Sequence, residues 1–193
     1  MRKTINCFIP YEENTAIDKV VTALKDSIVV NKIYLLTTAH GSMPSVPAGC
    51  EPFTIDSLNS SDTIKKIAQK ADTPFTLLYT KASPFELGYM ALERIADFLQ
   101  DRKTGMVYAD HYEWKEGEKK KHPAIDYQPG SVRDDFDFGA LLAFRSEYLI
   151  GAAGMMENER EDYRYAGPNE RPSGEYPIVL ATCQNNHDKN EAL

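Results

Sequence analysis

Phe75-Thr-Leu-Leu-Tyr79 and the loop after it, Thr80-Lys81-Ala82-Ser83, decide how this chain is read. The first stretch is a short apolar run that makes a buried strand, and a polar loop stops it. Ser83-Pro84-Phe85-Glu86 then carries the marks of a helix start, with Ser as cap, Pro at the first helical position and Glu closing the box. Leu87, Ala91, Ile95 and Phe98 would line one face of that helix. In an open α/β sheet, ligands bind outside the carboxyl ends of the central strands. The content of the Thr80 to Ser83 loop therefore bears on function. It holds a threonine and a lysine, and no carboxylate.

Toward the N-terminus the same alternation repeats. Thr4 to Ile9 is an apolar strand closed by Pro10. Thr15 to Ser27 reads as a helix, with Ile17, Val20, Val21, Leu24 and Ile28 at helical spacing and Thr15 and Asp18 placed as a capping box. Lys32 to Thr37 is a second strand, followed by a breaker-rich loop from His40 to Gly49. Pro52 to Ile55 is a third strand ending at Asp56, and Ser61-Asp62 can cap a helix carrying Ile64, Ile67, Ala68 and Ala71. This order predicts an α/β fold: a mixed, mainly parallel sheet with helices on both faces.

Toward the C-terminus the texture changes. Gly105 to Asp110 reads as a strand running on into His111 to Trp114, with a hairpin turn at Lys115 to Glu118. His122 to Tyr127 is extended, Phe138 to Arg145 is a further apolar strand, and Ser146 with Glu147 can start a helix. Antiparallel or mixed pairings are expected here. Beyond Ala166 the residues are mostly breakers and polar groups, and Tyr176 to Ala181 is either a last strand or a stray apolar patch. The expected organisation is one domain over residues 1–166 and a poorly ordered tail over 167–193.

The net charge of −7 argues against a general nucleic-acid binder, because phosphate binding needs a basic surface. Lys119-Lys120-Lys121 reads first as a solvated turn. No apolar run approaches the roughly 20 residues needed to span a bilayer, and the N-terminal apolar stretch is too short for a signal peptide. Cys7, Cys50 and Cys183 are widely spaced and odd in number, as expected of reduced thiols in a cytoplasmic protein. No Gly-x-Gly-x-x-Gly follows the first strand, which disfavours a dinucleotide enzyme.

With its elements placed, the chain resembles the nucleotide-sugar-binding part of the inverting, GT-A type glycosyltransferases of family 2, over roughly residues 3–166. Ile9-Pro10-Tyr11-Glu12-Glu13-Asn14 resembles the family's first strand ending in Pro-Thr-Tyr-Asn. Met106 to Asp110 and Asp134 to Arg145 resemble its later, acceptor-side strands, and Glu161-Asp162 its Glu-Asp pair. The resemblance implies a nucleotide-sugar donor, a glycan or lipid-linked acceptor, and a location in the cytoplasm or at the membrane surface. It implies Asp162 as general base, and donor contacts from Pro10, Glu12, Thr38, Asp56 and Lys81.

The chemistry explains that pattern. A diphosphate leaving group must be neutralised as the glycosidic bond breaks, by a divalent metal or by fixed cations. In the family an Asp-x-Asp at the end of the central strand holds Mg or Mn, since carboxylates suit both ions. Here that position reads Tyr79-Thr80-Lys81, and the nucleobase position at the end of the second strand reads Thr37-Thr38. Three explanations remain open. Lys81 neutralises the diphosphate, Asp110 beside His111 supplies a metal ligand, or the protein is a degenerate or truncated binding module without transferase activity.

Each residue also has a plainer reading. An aspartate such as Asp56 is more often a turn or cap residue than a ribose ligand. Asp110 and His111 fit an exposed strand-end pair. Asp134, Asp135 and Asp137, interleaved with Phe136 and Phe138, suit either a sugar site or a solvated turn. Trp114 suits an acceptor platform or edge packing, and Glu161-Asp162 lies in a charged stretch that fits a solvated helix face.

Overall fold

The computed structural model describes residues 3–12, 16–38, 46–58, 60–115, 117–124 and 138–156. Among these residues, eight strands and four helices run in the order β1 (Ile5–Pro10), α1 (Asp18–Asp26), β2 (Val30–Thr38), β3 (Glu51–Ile55), α2 (Ser61–Gln69), β4 (Phe75–Tyr79), α3 (Ala91–Gln100), β5 (Met106–Val107), β6 (His111–Lys115), β7 (Glu118–His122), β8 (Leu141–Arg145) and α4 (Ser146–Met155). Six of the strands form one sheet in the order β3-β2-β1-β4-β8-β5, and β6 and β7 form a separate hairpin.

β3, β2, β1 and β4 are mutually parallel, while β8 runs antiparallel to both β4 and β5. β1 and β4 are buried along their whole length, as strands covered on both faces must be. The alternation of their side chains separates two cores. Ile5, Cys7 and Ile9 pack with Val20, Val21 and Leu24 of α1 and with Leu92, Ile95 and Leu99 of α3. Phe8, Tyr34 and Leu36 point the other way, toward Ile67 of α2 and Leu149 of α4. The mixed, mainly parallel sheet with helices on both faces is as the sequence predicts.

Prolines fall where the ladder tolerates them. The Tyr11 N–H bonds Leu36 O on β2 at 2.8 Å, so the donor Pro10 lacks would face β4, whose pairing with β1 has already ended at Phe8 and Leu78. Pro52 sits in β3, an outermost strand of the sheet. Two polar groupings inside the sheet are paired. Asn6, fully buried in β1, donates to Lys70 O and to Asp72 Oδ1, and its Oδ1 accepts from Asn31. The Thr76 and Ser146 hydroxyls meet at 2.8 Å and seat α4 against β4.

Three sequence expectations are corrected. α3 begins at Ala91, not Ser83. The Ser83 hydroxyl is engaged with the Tyr79 hydroxyl at 3.1 Å, and the Phe85 ring lies 4.3 Å from that of Tyr79. Phe85 and Leu87 thus pack against the core from an irregular connection, which outweighs a local helix start. Met90, left-handed at φ 52°, turns the chain into the helix. Second, the strand expected from Gly105 to Trp114 is broken after Val107, and His111 starts the hairpin. Third, α2 is capped by Ser60, whose hydroxyl accepts from Asp62 N at 3.2 Å. Thr15, the expected cap of α1, lies outside the described residues.

Candidate functional site

Because β1 to β4 are parallel, Pro10, Thr38, Asp56 and Thr80-Lys81 all stand at one edge of the sheet, its carboxyl edge. β5 runs in the same sense as β4, since both are antiparallel to β8. Asp110 therefore reaches this edge too, as do Phe138 to Ala140 at the amino end of β8.

The Tyr79-Thr80-Lys81 segment divides by role. Tyr79 is buried against Phe85. Thr80 is bound to the start of β8, where its N–H and its hydroxyl both donate to Ala140 O, at 2.9 and 3.2 Å. Lys81 points outward, and its Nζ lies 3.4 Å from Glu113 Oε1 on β6. The same carboxylate oxygen is 3.5 Å from His111 Nε2. His111 and Glu113 share one face of β6 by the alternation of a strand, and His122 stands opposite His111 with its ring stacked at 4.7 Å.

Pro10 is buried, while Glu12 and Thr38 are exposed. The Asp56 carboxylate pairs with Lys66 of α2 at 3.0 Å, in an exposed position. Asp110 Oδ1 accepts from Ala124 N at 2.7 Å, and its Oδ2 lies 3.4 Å from Lys121 Nζ. Both carboxylate oxygens are thus engaged, one by a backbone N–H and the other by an ammonium. Among the described residues no group of three or more His, Cys, Asp or Glu side chains is arranged to hold a metal ion. Asp162, the Asp134 to Asp137 cluster and the Tyr176 to Ala181 patch lie outside the described residues, as does the side chain of Trp114.

Sequence reasoning missed the Lys81–Glu113–His111 grouping. The signal was present: once the hairpin is granted, period-two alternation puts His111 and Glu113 on one face. What the sequence does not carry is the docking of that face against the loop after β4. No helix among the described residues is long and apolar enough to cross a membrane.

No family model matches the chain, and no curated protein sequence matches it. Solved structures do. Glucosyl-3-phosphoglycerate synthase from Mycobacterium tuberculosis, in complex with uridine diphosphate, aligns with TM-score 0.50 and 9% identity over 76% of this chain and 58% of its own. The chain thus spans a little over half the length of that enzyme. The same synthase has also been solved with Mn2+, UDP-glucose and phosphoglyceric acid, with TM-score 0.50 and 9% identity over 76% of this chain and 57% of its own. 2-C-methyl-D-erythritol 4-phosphate cytidylyltransferase from Thermus thermophilus aligns with TM-score 0.51 and 12% identity over 78% of this chain and 75% of its own. At these identities the likeness is one of fold, and the fold is GT-A-like.

Proposed function

We propose that this chain binds a nucleoside-diphosphate sugar across the carboxyl edge of β1 to β4 and transfers the sugar, with inversion, to a glycan or lipid-linked acceptor. One observation carries the reading: in a GT-A-like sheet, the loop after β4 presents an outward-facing lysine. An ammonium there supplies fixed positive charge for the diphosphate, the task otherwise given to a metal. Pro10, Glu12, Thr38 and Asp56 border the same edge and would meet the nucleoside. Asp162 would take the proton from the acceptor hydroxyl. The uridine diphosphate held by the structurally similar synthase supports the choice of donor class.

Titration calorimetry with UDP- and GDP-sugars, with and without Mn, tests this. Binding of at least one donor is expected. Lys81→Met should weaken it about 10-fold or more, the worth of one charge-assisted hydrogen bond. Absence of heat from every donor rejects the reading, and a strict need for Mn would shift the diphosphate's partner from Lys81 to a metal. The second reading, a binding module without transferase activity, is favoured by the commitment of Thr80 to Ala140 in place of any metal-binding role. Donor binding without release of nucleoside diphosphate, across a panel of sugar acceptors, would decide for it.

A further inference from the structure

Both ring nitrogens of His111 are shielded from water, and neither makes a hydrogen bond. A buried polar group without a partner costs about 1–3 kcal/mol. The ring is held in place: His122 stacks on it, and a Cβ added at Gly139 would come within 3.3 Å of Nδ1. Glu113 Oε1 approaches Nε2 to 3.5 Å without the alignment of a hydrogen bond, and the same oxygen faces the Lys81 ammonium at 3.4 Å. One anionic oxygen therefore stands between a lysine cation and an unsatisfied imidazole nitrogen, at the end of β4 where a ligand is expected.

We propose that the Glu113 carboxylate is an internal surrogate for a ligand phosphate. Lys81 Nζ and His111 Nε2 form an oxyanion site, and a phosphate or diphosphate group enters it by displacing Glu113. Carboxylate and phosphate oxygens seek the same donors. The two cannot share the site, because unit charges about 4 Å apart repel by about 1–4 kcal/mol in a partly exposed setting. The phosphate carries more charge than the carboxylate and so competes well for the lysine. Moving Glu113 breaks no ladder hydrogen bond of the six-stranded sheet, since β6 and β7 form a sheet of their own. The anion site stands on this geometry, while a nucleoside diphosphate as its natural occupant rests on the function proposed above.

Calorimetry at low salt with inorganic pyrophosphate and with UDP, on wild type, Glu113→Gln and Glu118→Gln, tests it. Glu113→Gln should bind both anions about two- to five-fold more tightly than wild type, the range of a surface ion pair released. Glu118→Gln makes the same change of net charge elsewhere on the hairpin and should bind like wild type. Lys81→Met in the Glu113→Gln background should abolish the gain. Tighter pyrophosphate binding with UDP no better than pyrophosphate upholds the anion site and removes the nucleoside reading. UDP binding that is equal or weaker in Glu113→Gln overturns the surrogate and leaves the nucleotide reading standing. A gain that survives Lys81→Met also overturns the site, and no binding of either anion to any variant overturns both ideas.

Discussion

Cys7 lies fully buried in β1, on the face that α1 and α3 cover. Burial disfavours the thiolate and pushes its pKa far up. Cys50 is shifted upward too, by partial burial, with the Lys25 ammonium opposing. In the native protein, iodoacetamide should therefore label Cys50 slowly and leave Cys7 unmodified even at about pH 9, where an exposed thiol is largely thiolate. Both should react quickly in urea, and timed mass spectrometry separates the two. The burial of Cys7 was legible in the sequence, because the residue falls within the apolar run from Thr4 to Ile9. The surroundings of Asp56 and Asp110 were not. Each is paired with a lysine, Lys66 or Lys121, that nothing in the local sequence marks as its partner.

Among the elements, α3 is tied down at its end by a distant side chain. The Arg145 guanidinium, at the end of β8, donates to the carbonyls of Leu99, Asp101 and Thr104 around the end of the helix and lies over the Phe75 ring. The Leu99 and Asp101 carbonyls are among those the end of a helix leaves without intrahelical partners, and the Thr104 carbonyl belongs to the loop that follows. Arg145→Met keeps much of the aliphatic stem and loses the donors. It should destabilise the fold by about 2–3 kcal/mol, seen as a lower midpoint in urea with an unchanged slope. The helix itself was foreseeable from Ala91, Ile95 and their spacing, but its start was misplaced by several residues. The local pattern Ser-Pro-x-Glu pointed to Ser83, whereas Phe85 and Leu87 pack against the core from a non-helical segment there. Tertiary packing overrode a local signal.

For the whole molecule, the succession of the first four strands along the chain was legible because short strand-like runs alternate with polar loops, while their order in the sheet was not. The insertion of β8 between β4 and β5 was legible only as an expectation of mixed pairing, since register over long separations leaves no local trace. The finished topology fixes where stability concentrates. β1 and β4 are paired on both sides and covered on both faces. Their amides should exchange slowest with deuterium, while β3 and the β6–β7 hairpin open sooner. Hairpin amides as protected as those of β1 would show that the hairpin opens only with global unfolding. Pro52 adds a consequence at the opposite end of the sheet. An outermost strand is a template on which identical chains can zip into fibres, and a proline there has no donor to offer an incoming strand. The residue that interrupts β3 thus guards against self-association at high concentration, a safeguard independent of whatever ligand the far edge of the loops receives.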